Sequence, residues 1–93
     1  MIYVTAAYSF KVEEKSSTSP NGHILRIVPI DPEDLREVLY NWPCVVSEEA
    51  ARVIKEKWGW EITPKFSGFL RVKPGDTIIT VWPEAILEIS VIT

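Results

Sequence analysis

The chain has 93 residues, of which 46% are hydrophobic and 25% charged, and this composition is typical of one ordinary globular domain spanning residues 1–93. The net charge of −3 argues against a general nucleic-acid-binding protein, and a single cysteine, Cys44, excludes an internal disulfide and a cysteine-built zinc site. No apolar run approaches the roughly 20 residues that span a bilayer, and no signal-peptide pattern opens the chain. We therefore expect an intracellular protein without membrane contact.

The first third of the chain predicts two strands separated by a loop. Residues 2–8 are apolar without a clean alternation, which favours a central strand covered on both faces. Residues 11–22 are polar and end in Pro-Asn-Gly, which predicts an exposed loop. A second strand over residues 23–30 is expected to stop at Pro29. His23 is the only histidine, and an exposed edge residue is favoured over a catalytic base.

Two helices follow. Asp31 and Pro32 are typical of a helix start, and apolar residues at helical spacing run from there to Trp42. Ser47 is expected to cap a second helix, which Gly59 ends. The acidic residues near both starts are explained by the helix dipole, so they do not indicate an acid–base pair.

The last third predicts three more strands. Residues 69–72 and 77–82 are rich in β-branched and aromatic residues, and Pro74-Gly75 between them is a turn signal, so a β-hairpin is expected there. Residues 86–93 form a final strand, which pairs either inside the sheet or with a second copy of the chain. The predicted fold is α/β, with a single mixed β-sheet of about five strands and two helices packed on it.

The side chains alone do not indicate a catalytic or ligand-binding site. No phosphate-binding glycine loop, catalytic triad or metal-ligand cluster is present in the sequence, so neither a metal nor a cofactor is predicted. For Cys44, a small buried hydrophobe is favoured over a reactive thiol. The four tryptophans favour an aromatic core, and the alternative is that one or two of them lie in an interface with a partner. The absence of glutamine and the frequent Glu, Lys and Pro are typical of thermophilic proteins.

Four stretches of the chain resemble a known protein family. They are V-T-A-A-Y-S-F (4–10), I-D-P-E-D-L (30–35), E-K-W-G-W-E-I (56–62) and V-K-P-G-D-T-I-I-T-V (72–81). The arrangement is similar to the small α/β proteins of crenarchaeal viruses, the family that includes the viral anti-CRISPR ring nucleases degrading cyclic tetra-adenylate. This resemblance implies a homodimer inside an archaeal host cell.

The resemblance also implies a ligand site and shows where this chain departs from it. Ser9 aligns with the family's ligand-contacting serine after the first strand. The family's catalytic histidine lies just before the second helix, where this chain has Trp42-Pro43-Cys44-Val45-Val46-Ser47. Trp82-Pro83 occupies the place of a family arginine and glutamate, and only Glu84 partly replaces them. Loss of a histidine that transfers protons costs several orders of magnitude in rate, so the chain is expected to lack that chemistry.

These observations favour a non-enzymatic viral or mobile-element protein that binds a host component in the host cytoplasm, such as an inhibitor of a defence system. Trp42 and Trp82 are its predicted interface residues. An alternative is a protein that binds cyclic oligo-adenylate, or a relic ring nuclease, with Ser9 and Glu84 at the ligand. A further alternative is a small nucleic-acid-binding regulator, which the acidic net charge disfavours.

Overall fold

The computed structural model describes residues 1–6, 10–12, 24–68, 70–81 and 85–92, and residues 10–12 through their backbone alone. Seven strands and two helices are assigned within these ranges. In chain order they are β1 (Ile2–Thr5), β2 (Phe10–Val12), β3 (Leu25–Ile30), α1 (Pro32–Asn41), β4 (Cys44–Val46), α2 (Glu48–Trp58), β5 (Leu70–Val72), β6 (Thr77–Val81) and β7 (Ile86–Val91).

Five of the strands form one mixed sheet with the order β3-β7-β6-β1-β4. Strand β1 runs parallel to both of its neighbours, β4 and β6, whereas β7 runs antiparallel to β6 and β3. Strands β2 and β5 form a separate parallel pair. The predicted α/β fold, with a mixed sheet of five strands and two helices, is confirmed.

The helices begin and end where the sequence predicts. The Asp34 carboxylate accepts a hydrogen bond from the Asp31 backbone N–H at 3.3 Å, and proline occupies the first turn of α1. The Ser47 hydroxyl oxygen accepts one from the Ala50 N–H at 3.0 Å and so caps α2. Helix α2 ends at Gly59, whose φ of 75° lies in the left-handed region that glycine adopts without steric cost.

Both helices pack on one face of the sheet, which we call the helix face. The core on this face consists of buried apolar side chains from α1, α2 and four strands. These are Val4, Leu35, Val46, Ala50, Ile54, Ile79, Val81 and Ile86. Full burial of a valine, leucine or isoleucine side chain stabilises a fold by about 1.5–3 kcal/mol, so this cluster contributes substantially to the stability of the chain.

The second face of the sheet is covered by β5. Its core consists of Leu70, Val72, Ile78, Ile89 and Val91. The rings of Tyr3 and Phe66 pack beside this core in an edge-to-face pair with their centroids 6.3 Å apart.

The predicted hairpin between β5 and β6 is wrong, although its turn is correct. Gly75 has a φ of 96°, and the Asp76 N–H donates to the Lys73 carbonyl oxygen at 3.0 Å, as a tight turn requires. However, β5 pairs with β2, and β6 forms its hairpin with β7 instead. A turn fixes the chain direction locally, whereas burial of Leu70 and Val72 on the second face determines where β5 lies.

Three other expectations need correction. Residues Lys11 and Val12 of the predicted 11–22 loop belong to β2, and residues 13–22 lie outside the described ranges. Strand β3 does not stop at Pro29 but continues to Ile30. Strand β4 was not predicted, because three residues carry too little pattern to indicate a strand. The final strand pairs inside the sheet, between β3 and β6.

Candidate protein-interaction surface

Strand β3 is the outermost strand of the sheet on one side. The Ile92 N–H donates to the Ile24 carbonyl oxygen at 2.9 Å, and the register continues from that pair into β3 and β7. Because backbone groups alternate sides along a strand, the N–H and C=O groups of Leu25 and Ile27 point away from β7. The backbone groups of Pro29 point away from β7 too, so the missing N–H of this proline removes no hydrogen bond between β3 and β7. No strand among the described residues pairs with this outer side, which we call the open edge.

The open edge carries unusually apolar side chains for a solvent-exposed strand. Ile27 is 55% exposed, Leu25 40% and Val28 37%. Ile24 and Ile92, which extend the same two strands, are also exposed. Natural edge strands are usually protected by charges, bulges or covering segments, and β3 has Arg26 as its single charge. An edge of this composition is favourable for binding another protein.

The opposite side of the sheet is closed by the chain itself. The Lys65 N–H donates to the Val46 carbonyl oxygen at 2.8 Å, and the Glu48 N–H donates to the Phe66 carbonyl oxygen at 2.9 Å. Ser47 forms a parallel bridge with Phe66. The segment at Lys65 and Phe66 therefore covers the outer side of β4, which we call the closed edge.

A concave apolar cavity lies on the helix face between the sheet and the end of α1. Its volume is about 210 Å³. It is lined by Ile2, Val38, Trp42, Thr77, Ile79 and Glu88. The Trp42 side chain stands at its rim and is 58% exposed, which places a large aromatic surface in water. We call this site the Trp42 cavity.

A second depression, of about 580 Å³, lies on the outer surface of α1. It is larger, but it is lined only by residues of this one helix, which are Glu33, Arg36, Glu37, Tyr40 and Asn41. Two carboxylates and one guanidinium give it a negative balance that disfavours a phosphate ligand. Because it is formed by one convex element, we favour the Trp42 cavity as the binding site despite its smaller volume.

An aromatic cluster joins the two helices beside this surface. The rings of Trp58 and Trp60 stack with centroids 5.1 Å apart, and the Arg36 guanidinium lies 5.8 Å from the Trp60 centroid. Both rings are half-buried and pack against the helix-face core. Trp58 and Trp60 therefore stabilise the fold, and Trp42 is left as the exposed tryptophan of the described three.

Among the described residues, two ionisable groups have shifted pKa values, and both shifts have structural causes. Burial raises the pKa of the Cys44 thiol above its ordinary value, because β4 lies partly under the helices. The thiol points at the Val38 carbonyl oxygen, 3.7 Å away. A hydrogen bond from Lys55 holds the pKa of the Glu61 carboxyl below its usual range on the exposed surface. Neither group lies in the Trp42 cavity.

Most of the predicted site residues lie outside the described ranges. These are Ser9, Glu84 and Trp82, so their predicted roles stay predictions. His23, which was predicted to be an exposed edge residue, also lies outside these ranges. The strands that precede Ser9 and Glu84 in the chain are parallel neighbours, because Thr5 is paired with Thr80. The Thr80 hydroxyl is buried there without a hydrogen-bond partner among the described residues. Of the predicted interface residues, Trp42 is described and its side chain is exposed, and its role at an interface stays a prediction.

The open edge and Glu88 were not among the candidate residues predicted from the sequence. The available signal was the run of residues 24–30, which is apolar at both odd and even positions and contains a proline. Proline in a strand indicates an edge, and apolar residues on both faces of an edge indicate that something covers it.

Comparisons with known proteins return no relative. The chain matches no protein-family model, no curated protein and no solved structure. No helix within the described ranges is long and apolar enough to cross a bilayer. The same part of the chain contains no cluster of three metal-ligating side chains.

Proposed function

We propose that this protein is a non-enzymatic binding module whose partner is another protein, docked at the Trp42 cavity. The observation that carries the proposal is the concave apolar surface beside an exposed tryptophan. Tryptophan at the rim of a pocket is a frequent anchor of protein interfaces, because it contributes a large apolar area at a small cost in side-chain entropy.

The size of the cavity supports a side chain over a nucleotide as its occupant. Sites for drug-sized ligands span roughly 300–1,000 Å³, and the Trp42 cavity holds about 210 Å³. A cyclic tetranucleotide is larger than a drug-sized ligand and carries four phosphates. Of the described residues that line the cavity, Glu88 is the one that carries a charge, and its carboxylate repels phosphates.

The lining also indicates the chemistry of the partner. Ile2, Val38 and Ile79 provide an apolar floor that suits an aliphatic or aromatic side chain. Glu88 provides an acceptor for a lysine or arginine next to that side chain in the partner. The expected partner segment therefore combines one apolar anchor with a neighbouring basic residue.

The biological setting of this proposal comes from the resemblance described above. It suggests a viral or mobile-element protein that acts in an archaeal host, where the bound partner is a component of a defence system. Loss of the catalytic histidine in residues 42–47 supports a binding role over ring-nuclease activity.

Affinity capture from an archaeal lysate with three matched baits tests the proposal. The baits are the wild-type chain, Trp42→Ala and Tyr40→Ala, where Tyr40 is 54% exposed on the same helix and does not line the cavity. A partner that docks at the cavity is retained by wild type and Tyr40→Ala and lost with Trp42→Ala. Removal of an interface anchor costs about 2 kcal/mol or more, which is roughly a 30-fold loss in affinity. Identical recovery by all three baits would contradict the proposal.

Calorimetric titration with cyclic tetra-adenylate tests the nucleotide alternative. The proposal predicts no saturable heat. Saturable binding that disappears with Ser9→Ala and persists with Trp42→Ala would instead assign the function to a nucleotide site. Rapid cleavage of the ring would further show that catalysis survives without the family's histidine.

A further inference from the structure

We propose that the open edge pairs with the open edge of a second copy of this chain, antiparallel and centred on Ile27, so that the two five-stranded sheets become continuous. A homodimer is already what the resemblance implies, and the inference here is which surface forms it. The open edge is separate from the Trp42 cavity except at Glu88, which lines the cavity and pairs with Val28 of β3. The proposed pairing rests on three observations, which are the direction of the backbone groups, the exposed apolar side chains and the distribution of charge.

The backbone of β3 presents a specific pattern of donors and acceptors at the open edge. Leu25 and Ile27 each offer an N–H and a C=O, whereas Pro29 offers a C=O alone. When Ile27 lies opposite Ile27 of the second copy, the two residues exchange a reciprocal pair of N–H···O=C bonds. Leu25 then lies opposite Pro29 of the second copy, and its N–H donates to that proline's free carbonyl oxygen, once on each side of the two-fold axis. The missing donor of Pro29 is thus accommodated.

The neighbouring registers are less favourable. Centring the pair on Arg26 places two guanidinium groups directly opposite each other, which is destabilising in an antiparallel pair. Centring it on Val28 places Leu25 opposite Asp31 of the second copy. The Asp31 N–H already donates to the Asp34 carboxylate, and its C=O accepts from the Leu35 N–H at 3.2 Å. Leu25 would then lack a backbone partner.

The side chains are self-complementary in the Ile27-centred register. On the second face, Ile27 meets Ile27 and Leu25 meets Pro29, so exposed apolar surface is covered by apolar surface. On the helix face, Arg26 lies opposite Val28 of the second copy. The next residue in that row is Glu88, because Glu88 pairs with Val28 within each chain. Each Arg26 is then two strands away from Glu88 of the other copy, in addition to Glu88 of its own chain, which lies diagonally opposite it on β7.

This self-complementarity is the reason to assign the edge to a second copy and not to an unrelated peptide. A two-fold axis requires each residue to meet its own symmetry partner, and few strands satisfy that requirement. Here the residue on the axis is apolar and 55% exposed. The single charge of the strand finds an opposite charge across the axis without a like charge facing it.

Sedimentation at micromolar chain concentration tests the pairing. We expect the wild-type chain to sediment as a dimer and Ile27→Lys to sediment as a monomer, because two ammonium groups would meet at the axis. Tyr40→Lys is the matched control, since Tyr40 is 54% exposed and lies on α1, and it should remain a dimer. A monomeric wild-type chain, or a dimeric Ile27→Lys variant, would overturn the proposal.

Disulfide trapping tests the register. In the Ile27-centred register Arg26 faces Val28 of the second copy in a non-hydrogen-bonded pair, whose Cα atoms lie about 4.5 Å apart and whose side chains are close enough for a disulfide. In a Cys44→Ala background, a mixture of Arg26→Cys and Val28→Cys chains should therefore form covalent dimers under mild oxidation, and either variant alone should form markedly fewer. Preferential trapping of either variant alone would refute the Ile27-centred register. Neither experiment depends on Trp42, so this proposal and the proposed function fail separately.

Discussion

The two outer strands of the main sheet differ in whether another segment of the chain lies against their outer side. At the closed edge, β4 has three residues, and the Lys65 N–H donates to the Val46 carbonyl oxygen on its outer side. At the open edge, β3 has six residues and leaves apolar side chains in water. An unprotected apolar edge promotes association in any protein. The described residues close one edge and leave the other open, and this difference is the reason for proposing the open edge as an interface.

The sharpest test of this comparison deletes the same two methyl groups at each edge. Val46 in β4 is 3% exposed, and Val28 in β3 is 37% exposed. We expect Val46→Ala to lower the free energy of unfolding by about 2 kcal/mol, because it removes buried surface and leaves a cavity. We expect Val28→Ala to change it by less than about 0.5 kcal/mol in the monomeric Ile27→Lys background, where no second copy covers it. Chemical denaturation of both variants measures the difference, and equal losses would show that the edges are equally packed.

A smaller effect is expected at the residue that joins the closed edge to α2. The Ser47 hydroxyl caps the helix, and its backbone bridges to Phe66. We expect Ser47→Ala to cost about 1 kcal/mol of stability through loss of the cap. Ser67→Ala, at an exposed serine of the adjoining segment, is the control and should be neutral. The midpoints of denaturant unfolding distinguish the two variants, provided that the unfolding free energy depends on denaturant concentration with the same slope in both. An unchanged midpoint for Ser47→Ala would show that the bridge to Phe66 holds the start of α2 without the cap.

The smallest expected effect concerns pH and Cys44, which lies in the closed edge. Burial raises the pKa of the folded thiol above its ordinary value of 9.0, so the fold favours the neutral form. The resulting stabilisation is complete below that value and is lost as pH rises through the higher pKa of the folded state. The difference in unfolding free energy between wild type and Cys44→Ala should therefore shrink above pH 9.0. A difference that stays constant with pH would indicate a thiol in free contact with water.

Local signals in the sequence were sufficient for the helices but not for the pairing of strands. Asp31-Pro32, Ser47 and Gly59 act through the backbone of their own turn, so their meaning does not depend on the rest of the fold. Pro74-Gly75 likewise predicts its turn correctly. The partners of β5 and β6 depend on which buried face accepts Leu70 and Val72, and that is decided by residues far away in the chain.

The candidate surface was harder to predict for a related reason. The exposure of Trp42 follows from the position of α1 on the sheet, which no local pattern encodes. In the sequence, Glu88 is one polar residue in a strand that alternates apolar and polar side chains. Its place at the cavity depends on how the strands and α1 pack together. By contrast, Pro29 and the apolar residues around it contain the signal for an edge strand in their sequence alone.

The contrast between the edges also bears on how many further chains could pair with the main sheet. A strand ladder grows into a fibre when every unit adds a neighbour on both sides. In this sheet the segment at Lys65 and Phe66 lies on the outer side of β4. In the proposed pairing, addition at β3 would therefore occur once and stop, so that an apolar edge that would otherwise be an aggregation hazard would give an assembly of two chains.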